Sequence, residues 1–278
     1  MKTAICHYSL RRLWAAQKWT LDQLVKEVEK LGVEQVDFHI RFLGDPRGAG
    51  KAILAALAHS RVTLSGLSMG NDFNQADPAK FKAQVEEVKT WLAVAEEVKA
   101  PVSRIFGGTL PREQRGDPDA KAAARQRILD GLSAVLPDAQ KRGVILGLEN
   151  HGGLPCSAEE QVDVIHAVHS PWLRATVDVG NYMECGQEPH VGCAVAAPVA
   201  AYVHFKDFRR VPDATRPRGF RLEARALGEG EADLHACIRA LRKVGYHGSI
   251  ALEYEAEEDE RTAVPRCIAC MKKVIAEA

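Results

Sequence analysis

Short apolar runs alternate with amphipathic helical stretches eight times along this chain, and that order leaves few folds open. Thr3–His7 reads as a first strand. A helix opens after it at Thr20-Leu21-Asp22-Gln23, a capping box, with Leu21, Leu24, Val25, Val28 and Leu31 on one face and Gly32 as the stop. Gln35–His39 and Val62–Leu67 are the next strands, with a helix expected over Lys51–Ser60 between them. Asp77-Pro78 and Asp117-Pro118 each place an N-cap before proline at the first helical position, on either side of a strand at Pro101–Phe106. Four more strands end at Glu149, Asp178, His204 and Glu253. Their helices start at the capping box Ser157-Ala158-Glu159-Glu160, around Val191–Pro198, after Asp233, and over Asp259–Ala276. Strict strand–helix alternation specifies a parallel sheet. Eight units in 278 residues fit a single α/β domain, a (β/α)8 barrel spanning 1–278. One stretch breaks the rhythm: 208–231, rich in Arg, Pro and Gly, is expected as a long irregular loop on the C-terminal face and a lid over the site.

The four last strands share a second property. Val144–Glu149, Arg174–Asp178, Ala201–His204 and Ser249–Glu253 are apolar runs that each end in a metal-grade side chain. The first two intervals are roughly 30 residues, the length of one strand–helix–strand unit. Parallel strands of a barrel bring their ends to one face, so Glu149, Asp178, His204 and Glu253 would converge. Three carboxylates and one imidazole suit a single divalent ion, with Mn²⁺ the first choice and Mg²⁺, Co²⁺ or Zn²⁺ also served by such donors.

Composition narrows the partners. Lys+Arg and Asp+Glu both number 37, a zero formal charge that argues against a nucleic-acid or anionic membrane surface. No stretch approaches the roughly 18 apolar residues of a membrane span, and the start of the chain lacks a secretory apolar segment. The 7 cysteines are odd in number and lack framework spacing, as expected of reduced thiols in the cytoplasm. Cys267-Ile268-Ala269-Cys270 stands alone without a second pair. A small sugar-like molecule is therefore the expected partner, with self-association left open.

Several segments together carry a resemblance: Gly147-Leu148-Glu149-Asn150-His151-Gly152-Gly153, Asp178-Val179-Gly180-Asn181, His204-Phe205-Lys206-Asp207 and Leu252-Glu253-Tyr254-Glu255. Leu227–Asp233, Asn71-Asp72-Phe73 and Arg104–Gly108 fit the same ordered pattern. In this set the chain resembles the xylose-isomerase-like superfamily of sugar isomerases and epimerases. The resemblance covers essentially the whole length. It implies one catalytic divalent metal on Glu149, Asp178, His204 and Glu253, and keto- or polyhydroxy-sugar-like substrates. Asn181 departs from the pattern, because ketose 3-epimerases carry His at that position. The Glu149-x-His151 pair is instead similar to sugar-acid and keto-sugar lyases of the superfamily.

The implied chemistry is metal-stabilised formation of an enediolate. A base removes the proton next to a carbonyl, and epimerisation needs an acid on the opposite face. Glu149 and Glu253, on strands five and eight, could flank a sugar, each binding the ion through one oxygen and moving a proton with the other. His151 falls in phase with Glu149 if that strand continues, and its ordinary pKa suits base catalysis near neutrality. Lys206 falls in phase with His204 and could hold an oxyanion or carboxylate. His7 and His39 at strand ends, Asn181, and Arg225 in the long loop complete the candidate substrate contacts. Isomerase or epimerase is the leading reading. A lyase or dehydratase with His151 as base is the alternative.

Overall fold

The computed structural model describes residues 1–216 and 218–278, so Pro217 of the expected loop lies outside the described residues. Eight strands close into a barrel: β1 (Lys2–Cys6), β2 (Gln35–His39), β3 (Thr63–Ser68), β4 (Ser103–Phe106), β5 (Leu146–Glu149), β6 (Leu173–Asp178), β7 (Ala200–Phe205) and β8 (Ser249–Leu252). Each pairs in parallel with its sequence neighbours, and Ile5 opposite Leu252 closes the ring between β1 and β8. The fold is a (β/α)8 barrel. The apolar outward faces of the strands pack under the helices, in a core that includes Ile5, Val36, Phe38, Ile105, Leu148, Val177, Val203 and Leu252.

The inward faces carry a different chemistry. Ala4, Val102, Tyr202 and Ala251 form a small separate cluster inside the barrel, with Tyr202 Oη 2.8 Å from Ser65 Oγ. Two residues further along the same strands, the period-two repeat points Cys6, Arg104, His204 and Glu253 the same way. Glu149 and Asp178 likewise follow Gly147 and Thr176 on β5 and β6. Gly147 is required here, because a Cβ would stand 2.3 Å from Thr176 Oγ1. An apolar floor thus lies under a charged layer at the C-terminal mouth.

Local signals set the outer ring. Thr20 and Gln23 make the expected reciprocal bonds, as do Ser157 and Glu160, while Asp77 and Asp117 accept from the first free backbone N–H groups of their helices. The second helix spans Pro46–Leu57, not Lys51–Ser60. Asp45-Pro46 repeats the same cap, but Gly48 and Gly50 disguise the first turn. Gly50 is there for packing, since a Cβ would fall 2.1 Å from Glu97 Oε2 of the neighbouring helix.

The stretch expected as irregular is a β-ribbon. Asp207–Pro212 and Phe220–Arg225 form an antiparallel ladder with Asp207 opposite Arg225. Asp207 ties the base: its carboxylate accepts from the backbone N–H groups of Phe208, Gly228, Gly230 and Ala232. Arg209 and Arg210 put charge in both phases of the first strand, whereas the second, Phe220–Arg225, alternates apolar and charged residues inside a stretch whose Arg, Pro and Gly read as loop. A second, shorter ladder joins Gly108–Thr109 to Gly153–Leu154 and links the loops after β4 and β5.

Candidate metal centre

Glu149, Asp178, His204 and Glu253 each present one ligand-type atom, and these four atoms lie within 4.8 Å of one another. His204 Nδ1 is the hub, 3.8 Å from Glu149 Oε1, 4.0 Å from Asp178 Oδ2 and 3.7 Å from Glu253 Oε2. All four side chains are buried. Glu253 comes one residue after β8, where its backbone N–H still bonds Phe205 O at 2.9 Å.

The donor set fits a divalent cation. His204 Nδ1, Asp178 Oδ2 and Glu253 Oε2 are buried atoms with no hydrogen bond. Asp178 Oδ2 and Glu253 Oε2 have the Lys206 ammonium beside them as ion pairs, while His204 Nδ1 faces only carboxylate oxygens, and an ion among the three would engage them all. The separations from His204 Nδ1 to the three carboxylates are 3.7 to 4.0 Å, and all four donor atoms fall within 4.8 Å, a spread one ion could draw together. Charge points the same way. Burial pushes the Asp178 carboxyl well up, with Glu149 and Glu253 adding to the push against the pull of Lys206. A divalent ion among these groups would offset that cost and favour the ionised form of Asp178.

Two buried cations serve this cluster. Arg104, which among the inward charges stood outside the candidate site residues, puts Nε 3.0 Å from Glu149 Oε2. Its guanidinium donates to Met69 O at 2.6 Å and lies over the Phe106 ring at 4.2 Å. Burial alone would raise the Glu149 carboxyl, yet Arg104 and then His204 bring it down to about 2. Lys206 places Nζ 2.6 Å from Glu253 Oε2 and 3.1 Å from Asp178 Oδ2, and it hydrogen-bonds Glu255 Oε1 at 3.4 Å. Glu253 is buried, which opposes ionisation, but Lys206 and His204 hold it well below the usual carboxylate range.

A shell of polar braces sets the geometry. Asn150 clamps β6 by donating to Asp178 O at 2.9 Å and accepting from Asp178 N at 3.0 Å. Asn181 donates from its amide to Glu149 Oε1 at 3.2 Å, while its backbone N–H donates to Asp178 Oδ1 at 3.0 Å. Asp37 Oδ2 accepts from Ser68 Oγ at 2.6 Å and faces His204 Nε2 at 3.7 Å, on the side of the ring away from the other ligands. That leaves Nδ1 as the ring nitrogen turned toward the three carboxylates, with Asp37 beside Nε2 as a nearby charge. Asp37 was also outside the sequence-derived site. Its signal was a charge inside the apolar run Val36-Asp37-Phe38.

The remaining candidates fall in different places. β5 stops at Glu149, so His151 follows a turn and stacks on Phe106, ring centroids 4.0 Å apart and planes at 15°. Burial lowers its pKa against the opposing pull of Glu149, which leaves the imidazole neutral. His7 is fully buried among Trp14, Phe42 and Phe38, with both ring nitrogens unbonded, and burial lowers it to about 3. His39 accepts from Arg41 N at 3.2 Å and is likewise lowered to about 3 by burial, with Arg104 adding to it. Arg225 sits on the ribbon and pairs with Glu223.

The barrel's strand ends thus gather three carboxylates and an imidazole that could hold a metal ion, with two buried cations beside them. The sequence matches the family described as xylose isomerase-like TIM barrel over residues 25–274, and the chain belongs to that family. It is similar to L-ribulose-5-phosphate 3-epimerase of Salmonella paratyphi A, 23% identical over 239 residues, covering 84% of this chain and 79% of the relative. Among solved structures it is similar to the apo form of 3-keto-D-glucoside 4-epimerase from E. coli, with TM-score 0.76 and 14% identity over 98% of this chain and 99% of that one. The IOLI protein with a bound zinc atom gives TM-score 0.75 and 16% identity, covering 100% and 99% of the two chains.

Proposed function

We propose that this chain is a divalent-metal-dependent isomerase or epimerase of a keto-sugar or sugar-like substrate, working through an enediolate. The observation that carries this reading is the buried quartet of Glu149, Asp178, His204 and Glu253, whose ligand-type atoms lie within 4.8 Å of one another. Relatives named as sugar epimerases support the substrate class. Manganese is the proposed ion, and a bound ion would supply Lewis acidity to the carbonyl and adjoining hydroxyl of the sugar.

The protein groups divide the remaining work unequally. Glu149 has both oxygens engaged, Oε1 by Asn181 and Oε2 by Arg104, so it serves chiefly as a fixed ligand. Glu253 meets His204 and Lys206 through Oε2, which leaves Oε1 for a proton on carbon. Glu253 is therefore the proposed first base. Neutral His151, next along the chain from the Glu149 strand end, is the proposed relay for proton return, passing its ring N–H proton toward carbon as its other nitrogen takes one from solvent, with Glu149 behind it. The Lys206 ammonium offers positive charge to an oxygen of the substrate as its negative charge grows. Asn181, His39, His7 and Arg225 remain proposed contacts or supports of the sugar, and closure of the ribbon over it is part of the same reading. All seven cysteines are free, which supports the proposed cytoplasmic location. Among the described residues no helix is long and apolar enough to cross a membrane.

Turnover of a ketose panel in deuterated water with Mn²⁺, followed by NMR, tests the proposal. A panel of L-ribulose 5-phosphate, D-tagatose, D-fructose and a 3-keto-glucoside should reveal an epimer or isomer carrying solvent deuterium at the exchanged carbon. Glu253→Gln should slow that exchange by about 10²–10⁴-fold. An unsaturated product with stoichiometric loss of water or a fragment would reassign the chain as a lyase.

A further inference from the structure

The two buried cations of the site are held in different ways. Arg104 takes Glu149 by Oε2, while Glu149 Oε1 is the oxygen turned toward His204. Arginine and a central ion can therefore share Glu149 without contest. Lys206 does the opposite. Its Nζ meets Asp178 and Glu253 through Oδ2 and Oε2, the same two oxygens that face His204 Nδ1. A divalent cation resting against the same pair of oxygens would repel the ammonium across about 3–4 Å, which weakens the hold of those oxygens on Lys206.

Lys206 also has somewhere to go. Its aligned hydrogen bond runs to Glu255 Oε1 at 3.4 Å, whereas the contacts to Asp178 and Glu253 are ion pairs without hydrogen-bond alignment. The Glu255 side chain is 31% exposed, so it can take up the ammonium at the edge of the cluster. Gly180 makes room for the stem where it now lies, since a Cβ there would stand 2.5 Å from Lys206 Cγ.

We propose that Lys206 is an internal counter-cation that holds Asp178 and Glu253 together in the metal-free protein and withdraws onto Glu255 as the ion enters, so that the Lys206–Glu255 pair sets metal affinity. This rests on the metal reading given above. Lysine suits the task because its charge is a single point on a flexible stem, unlike the planar fork of Arg104. Glu255 is then a positioning residue, acting on the site through Lys206.

Mn²⁺ affinity of the full chain, measured by calorimetry with chelator competition, tests this without recourse to turnover. Lys206→Met should bind Mn²⁺ at least about tenfold more tightly than wild type, and its thermal midpoint should rise more on adding Mn²⁺. Glu255→Gln should weaken Mn²⁺ binding by about threefold or more, and that effect should vanish when Lys206 is already Met. Equal or weaker binding by Lys206→Met overturns the proposal, as does a Glu255→Gln effect that persists in the double variant. If Lys206→Met does not fold, Glu255→Gln alone decides, because unchanged affinity there removes the resting place. Failure of the wild type to bind Mn²⁺ would instead remove the metal reading itself.

Discussion

Replacing Arg104 by Met should destabilise this protein more than any surface change, and it should do so through Glu149. The guanidinium is 2% exposed and lies 3.0 Å from Glu149 Oε2, so its removal leaves a carboxylate buried without its cation. Glu149 is held at about 2 against an ordinary 4.5. That difference corresponds to roughly 3 kcal/mol favouring the ionised form, in line with about 3–5 kcal/mol for breaking a buried ion pair from one side. The sign follows from the depressed value: the stabilisation is complete above the unfolded pKa and fades as pH falls toward 2. In urea denaturation at pH 7 with chelator present, Arg104→Met should therefore lose about 3 kcal/mol. Glu149→Gln should cost less in the Arg104→Met background than in wild type, because the unpaired charge is then already gone. A loss under about 1 kcal/mol, or additive losses in the double variant, would refute the claim that Arg104 acts on Glu149.

Two further outcomes follow from neighbouring groups. Asp37→Asn should lower Mn²⁺ affinity by about 10–100-fold while leaving the fold intact, since it weakens the hold on His204 from behind; circular dichroism and calorimetry together check both halves. His7 is buried neutral, lowered to about 3, so the unfolded chain binds a proton that the folded chain refuses between about 6.5 and 3. Stability should fall with decreasing pH across that window, and His7→Phe should flatten the slope by up to about 1.4 kcal/mol per pH unit, as read from urea midpoints at a series of pH values.

The barrel was legible because its two periodicities are clean. Thr20, Asp77, Asp117 and Ser157 all cap the helices they announce. The helix at Pro46 was shortened because Gly48 and Gly50 weaken its propensity, and the reason for Gly50 lies in the Glu97 side chain of another helix. The ribbon at Asp207–Arg225 reads as loop because Arg, Pro and Gly dominate the stretch and only Phe220–Arg225 alternates, while a set of backbone bonds to Asp207 fixes its base. At the site, strand-end position singled out Glu149, Asp178, His204 and Glu253. Asp37 and Arg104 carry an equally readable signal, a charge on the inward phase of an apolar strand, but neither terminates its run. His151 shows the limit of phase arguments, since β5 ends before reaching it and stacking on Phe106 decides its place.

The central claim is a single divalent ion on four strand-end ligands. Protein purified without chelator and then titrated with Mn²⁺ after complete stripping, with bound metal counted by elemental analysis, addresses it directly. The account expects one ion per chain in wild type and loss of that stoichiometric binding in Asp178→Asn and His204→Ala variants that remain folded. No metal above background in the wild type, or one ion per chain still bound after either substitution, would contradict it.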